Sequence, residues 1–109
     1  MRAIKTIIRR DKLDAVRDAL EAAGITSVTI TEVLGRGRTK REQRVFRGET
    51  FVLKLAPHMQ LELVVHESIV EDAVQTIMRA ARTGVAGDGM VFVSEVEESY
   101  RIRTGEWEG

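Results

Sequence analysis

A strand-like run, a helix-like run and a second strand-like run occur twice in this chain, once on each side of a long polar insertion. Residues 2–8, RAIKTII, are rich in isoleucine and predict a strand. DKLDAVRDALEAAG follows with Leu13, Val16, Leu20 and Ala23 on one apolar stripe, Asp11 placed to cap and Gly24 just past the end. SVTITEV, residues 27–33, alternates and is β-branched, which predicts the second strand. The second pass begins with LELVV at 61–65 and continues with a helix whose Ser68 and Glu71 have capping-box spacing. Ile69, Ala73, Ile77 and Ala80 form its inner stripe, Gly84 ends it, and MVFVSEV at 90–96 is the last strand. KLDAV (12–16) echoes VEDAV (70–74), and TITEV (29–33) echoes FVSEV (92–96).

Two such units predict an α+β, ferredoxin-like βαββαβ fold: a four-stranded antiparallel sheet with both helices on one face. The 109 residues fit one domain, 1–109, and the 43% hydrophobic content supports a core. The sheet's second face is left uncovered, and large apolar residues there call for an oligomer. The 17 basic and 17 acidic residues cancel, so charge gives no general pull toward nucleic acid or membrane. With no cysteine, disulfides, zinc–thiolate sites and thiol catalysis drop out together. No signal-peptide pattern and no apolar run of spanning length is present, so the expectation is a cytoplasmic protein without membrane insertion.

The insertion between Val33 and Leu61 holds six basic residues and one acidic residue from Arg36 to Arg47. Two readings stand: a solvated hairpin with ordinary surface charge, or a projecting arm that docks on a partner or collects phosphate. Within it, Gly35 and Gly37 frame Arg36, and Arg38 follows; glycine permits close backbone approach and arginine supplies bidentate phosphate donors. GDG at 87–89 offers backbone N–H groups in a turn. RIR at 101–103 would point two arginines to one side if it were a strand. Each stretch alone reads better as a cap, a tight turn or a solvated edge; their joint occurrence shifts the balance toward phosphate.

KLDAVRDALEAAGITSVTITEVLGRGR, FRGETF, TGVAGDGMVFV and IRTGE, in this order and spacing, resemble the PII family of signal-transduction proteins over essentially the whole chain. The resemblance implies a homotrimer with an adenine nucleotide (ADP, AMP or ATP) in each cleft between subunits. It makes residues of about 36–55 the T-loop that reaches a transporter, enzyme or transcriptional regulator. Residues of about 82–90 become the phosphate-gripping B-loop, and about 97–109 the C-terminal segment. By position, Gly35, Gly37 and Arg38 lie at the loop base near the phosphates, with Gly87, Asp88, Gly89 and Met90 in the B-loop. Arg101 and Arg103 match phosphate-binding arginines, while Ile7, Thr29, Glu62 and Val64 match the adenine and ribose region. Arg41, Arg44, Phe46, Arg47 and Phe51 fall on the partner-facing loop.

The departures from the family pattern narrow the reading. Relatives that sense 2-oxoglutarate carry a glutamine where this chain has Thr39 and a lysine where it has His58. A threonine hydroxyl cannot reproduce both contacts of the longer amide, so ordinary 2-oxoglutarate sensing is not expected, and a role for magnesium is left open. Phe51 replaces the tyrosine that some relatives have uridylylated, and Glu49 replaces a phosphorylated serine. Met90 stands where the family places a lysine on the ATP phosphates, which weakens ATP relative to ADP or AMP. The expectation is a trimeric, non-enzymatic regulator; the alternative is a conventional nitrogen-regulatory PII sensing ATP, ADP and 2-oxoglutarate. A nucleic-acid-binding ferredoxin-like module is the remote alternative, disfavoured because the five aromatic side chains form no stacking cluster. His58 and His66 sit in no acid–base constellation, so catalysis is not expected.

Overall fold

The computed structural model describes residues 1–35 and 56–108. In chain order the elements are β1 (Arg2–Arg9), α1 (Leu13–Ala22), β2 (Thr29–Gly35), β3 (Ala56–Val65), α2 (Val70–Ala81) and β4 (Gly89–Glu95). A turn of 3-10 helix leads into each α-helix, at Arg10–Lys12 and at Glu67–Ile69. The strands form one sheet in the order β2-β3-β1-β4, with every neighbouring pair antiparallel. This is the predicted ferredoxin-like fold.

Alternation along β1 separates the faces: Ile4, Thr6 and Ile8 are buried, while Lys5 between them is exposed. Ile4 and Ile8 join Leu61, Leu63 and Val65 of β3 in a core with Val16 and Leu20 of α1 and Ala73, Ile77 and Ala81 of α2. Both helices therefore cover the same face. Within each helix the buried residues are four apart, one turn of the stripe. Burial of an aliphatic side chain of this size contributes about 1.5–3 kcal/mol. Thr6 is the buried polar residue among those described, and its Oγ1 donates to the Met90 carbonyl at 3.0 Å, linking β1 to β4.

Several local expectations are corrected. Asp11 lies inside the first 3-10 turn and α1 starts after Lys12 with no side-chain cap, because the extra turn moves the helix start beyond Asp11. The capping box at Ser68 and Glu71 does not form, since α2 starts after Ile69; instead the Ser68 amide donates to His66 Nδ1 at 3.3 Å. His66 is an exposed residue before the helix, as expected, and it caps the 3-10 turn. Ala80 packs partly buried against the core, as expected, with Ala81 buried beside it, whereas Ile69 is 40% exposed and Ala23 is exposed. Gly24 takes φ +84° just past α1, as predicted. Gly84 does not end α2: the helix stops at Arg82, which turns to extended backbone at φ −73°, ψ 132°.

The echoed motifs are also displaced in space. Counted from the helix starts, Val16 corresponds to Ala73 and Leu20 to Ile77, which shifts KLDAV against VEDAV by one residue. Only the buried positions obey the repeat. β3 begins at Ala56, five residues before the predicted Leu61, so Ala56–Gln60 belong to the sheet and not to the insertion. Pro57 is tolerated there because β1 pairs only as far as His58, leaving Pro57 opposite Leu34 on one side alone.

Candidate functional site

The register places five expected residues on the sheet face opposite the helices. Ile7 pairs across with Met90 on one side and Gln60 on the other. Lys5, one step along that face, lies between Glu62 and Phe92, and Glu62 in turn lies opposite Thr29. Val64 follows Glu62 on the same side. Directly opposed antiparallel residues point to the same face, so Ile7, Met90, Glu62, Thr29 and Val64 share one surface. That surface is half apolar: Val64 is 50% exposed, Met90 60% and Phe92 48%. It also carries polar groups, with Gln60 Nε2 donating to Glu62 Oε1 at 3.1 Å.

One end of this face is closed by the loop between α2 and β4. Asp88 organises it. Its Oδ1 accepts from Thr83 Oγ1 at 2.5 Å and from Arg9 Nε at 2.9 Å. Its Oδ2 accepts from the Thr83 and Gly84 amides, each at 2.9 Å. The Thr83 hydroxyl, the Arg9 guanidinium and these amides hold the carboxyl far below the ordinary carboxylate range. The Gly84 amide is thus a donor to the loop's own carboxylate, and the φ of +88° at Gly84 is the conformation that favours glycine there. Gly87 and Gly89 flank Asp88 with φ +101° and +105°. At Gly89 the requirement is steric as well: an added Cβ would fall on the Ile7 carbonyl and within 3.3 Å of Ile8 Cα.

Arg9 is the residue that sequence reading missed. It ends β1 on the open face, opposite His58, and its Nη2 also donates to the carbonyls of Ala86 at 2.7 Å and Val85 at 3.3 Å. The strand alternation of RAIKTIIR already put Arg9 on the Ile7 side; what the sequence lacked was the β1–β4 register that brings the loop beside it. His58 lies opposite both Arg9 and Val33, and with Arg10, Asp11 and Pro57 it lines a notch of about 400 Å³.

Gly35 ends β2 opposite Ala56, at the base of the insertion. Gly37, Arg38, Thr39, Arg41, Arg44, Phe46, Arg47 and Phe51 lie outside the described residues. Arg101 and Arg103 do not lie on a strand, which corrects the expectation that a strand aligns them. They occupy a hairpin turn closed by the Tyr100–Trp107 bridge, by Arg101 N–H to the Glu106 carbonyl at 2.9 Å, and by Ser99–Glu108 backbone and side-chain bonds. Arg101 is engaged by Glu108 Oε2, at 2.5 Å from Nη2 and 3.0 Å from Nε. Among the described residues, no hydrogen bond or ion pair joins either arginine to the 83–88 loop. A groove of about 550 Å³ runs between α2 and β4, lined by Val74, Met78, Val91 and Val93 and reaching the loop at Asp88 and Gly89. It opens on the helix side, away from the face carrying Glu62 and Val64.

Comparison with known proteins decides the family. The family model described as "P-II: Nitrogen regulatory protein P-II" matches residues 1–106. This chain belongs to the P-II family. A nitrogen regulatory protein P-II of Azospirillum brasilense is 45% identical over 106 residues, covering 97% of this chain and 95% of that protein. The P-II protein of Bradyrhizobium diazoefficiens is 43% identical over the same coverage, and P-II 1 of Escherichia coli K12 is 46% identical. P-II proteins are signal-transduction regulators of nitrogen metabolism and not enzymes, in agreement with the lack of a catalytic constellation in the sequence. Among the described residues no helix is long and apolar enough to cross a membrane.

Proposed function

We propose that this chain is a homotrimeric P-II regulator that binds an adenine nucleotide in the clefts between subunits and controls a partner protein through residues 36–55. The observation that supports this most is the 83–88 loop. Tied to its own carboxylate, it sets Gly87 and Gly89 beside the end of the face that carries Ile7, Glu62 and Val64. Such an arrangement offers backbone N–H groups to phosphates and apolar strand residues to a base. The half-exposed Val64, Met90 and Phe92 supply the apolar surface that neighbouring subunits would cover. Nucleotide occupancy then shifts the population of loop conformations, by no more than its differential affinity for them. The partner is a transporter, an enzyme or a transcriptional regulator, and the setting is cytoplasmic.

Thr39, His58 and Met90 support a branch that answers to ADP or AMP and does not sense 2-oxoglutarate in the ordinary way. Calorimetry with ATP, ADP and AMP, each with and without magnesium and 2-oxoglutarate, tests the reading. Nucleotide binding that 2-oxoglutarate does not enhance is the expected result. Failure to bind any nucleotide would overturn the proposal, and tight magnesium-dependent 2-oxoglutarate binding would establish the conventional P-II alternative.

A further inference from the structure

A carboxylate at the centre of a phosphate-gripping loop is an electrostatic obstacle. Asp88 sits between Gly87 and Gly89, and its charge would repel any polyphosphate approaching their amides. The loop also turns two carbonyls, those of Val85 and Ala86, toward the same neighbourhood as the Asp88 carboxylate. All three acceptors are taken up by a single guanidinium. Arg9 Nε lies 2.9 Å from Asp88 Oδ1, and its Nη2 lies 2.7 Å from the Ala86 carbonyl and 3.3 Å from that of Val85. The Arg9 and Asp88 side chains are only 30% and 25% exposed, so water screens the pair incompletely.

We infer that Arg9 is a positioning residue for the nucleotide site, cancelling the Asp88 charge and pinning the Val85–Asp88 backbone so that the loop meets phosphates with amides and not with a carboxylate. The inference rests on the nucleotide reading above. Lysine could supply the charge but not the planar fork that reaches a carboxylate and two carbonyls together. A direct phosphate contact by Arg9 is the competing role, and only Nη1 is left for it because Nε and Nη2 are committed within the loop. Thr83 and Gly84 donate to Asp88 but carry no charge, so its compensation falls to Arg9 and the effect of Arg9 is expected to depend on ligand charge.

Titration of the parent protein, Arg9→Gln, Arg9→Lys and the double variant Arg9→Gln/Asp88→Asn with AMP, ADP and ATP tests this, together with amide hydrogen exchange of Thr83 and Gly84 in the nucleotide-free proteins. Arg9→Gln leaves Asp88 uncompensated, so its loss of affinity should grow by roughly threefold for each added phosphate. The double variant removes both charges, and its loss should be level across the three ligands. Arg9→Lys should bind with little grading, while its Thr83 and Gly84 amides exchange faster than in the parent. A level loss in Arg9→Gln overturns the charge-cancelling role. Grading that persists in the double variant assigns Arg9 to direct phosphate contact and also overturns it. If Arg9→Gln does not fold, parent-like exchange in Arg9→Lys overturns the pinning role on its own. A parent that binds none of the nucleotides removes the site reading and this inference together, whereas a parent that binds beside an unaffected Arg9→Gln removes the inference alone.

Discussion

Asp88 receives four hydrogen bonds from Thr83, Gly84 and Arg9, and all of them favour its charged form. Because its folded value is depressed, its contribution to stability is present above the ordinary aspartate value of 3.8 and is lost only as pH falls through the lower folded value. A carboxyl-carbon titration by NMR should therefore place the Asp88 inflection well below 3.8, and an inflection at or above that value would contradict the loop geometry. Met90 carries a second prediction at this scale. Its side chain is 60% exposed on the open face opposite Ile7, where an ammonium would reach solvent and phosphate alike. Met90→Lys should raise affinity for ATP more than for AMP, and calorimetry showing an unchanged ratio would remove Met90 as a determinant of nucleotide choice.

Two glycines with similar backbone angles give a contrast between elements. Gly24 has φ +84° with nothing within 4 Å of an added Cβ, whereas Gly89 has φ +105° with the Ile7 carbonyl in the way. Gly24→Ala should cost about 1 kcal/mol from backbone strain alone. Gly89→Ala should cost clearly more, because it also pushes β4 off β1; equal midpoints in chemical denaturation would refute the steric account. The C-terminal hairpin yields another test. Arg101 and Glu108 are 54% and 41% exposed, so solvent screens the pair, and an exposed pair of this kind is worth at most about 1 kcal/mol. Glu108→Gln should free Arg101 and raise nucleotide affinity by up to about fivefold, with no change expected if Arg101 takes no part in binding. These cases also show what pattern reading can and cannot reach. Helical stripes marked Val16, Leu20, Ala73 and Ile77 as core because burial imposes period. Gly84 and Arg101–Arg103 were misassigned because a helix stop and a carboxylate ligand, or a strand and a bridged turn, look alike in one dimension. Arg9 stayed hidden for a different reason: its partners are about 80 residues away, and only strand register joins them.

For the whole molecule, the uncovered sheet face makes assembly the decisive measurement. Light scattering should give a particle three times the 12.2 kDa chain mass. Phe92→Asp, which places a charge on a half-exposed position of that face, should yield monomers with the far-UV spectrum retained. A monomeric parent would leave the apolar exposure of Val64, Met90 and Phe92 unexplained. The strand order β2-β3-β1-β4 has a further meaning. Its three ladders, β2–β3, β3–β1 and β1–β4, each join a strand from before the insertion to a strand from after it. Neither half pairs two of its own strands, and each half leaves its helix without the sheet it covers. The single chain is thus built like two strand-exchanged partners that happen to be covalently linked. Cutting it between Gly35 and Ala56 should give fragments that are unfolded separately and restore the sheet only on mixing.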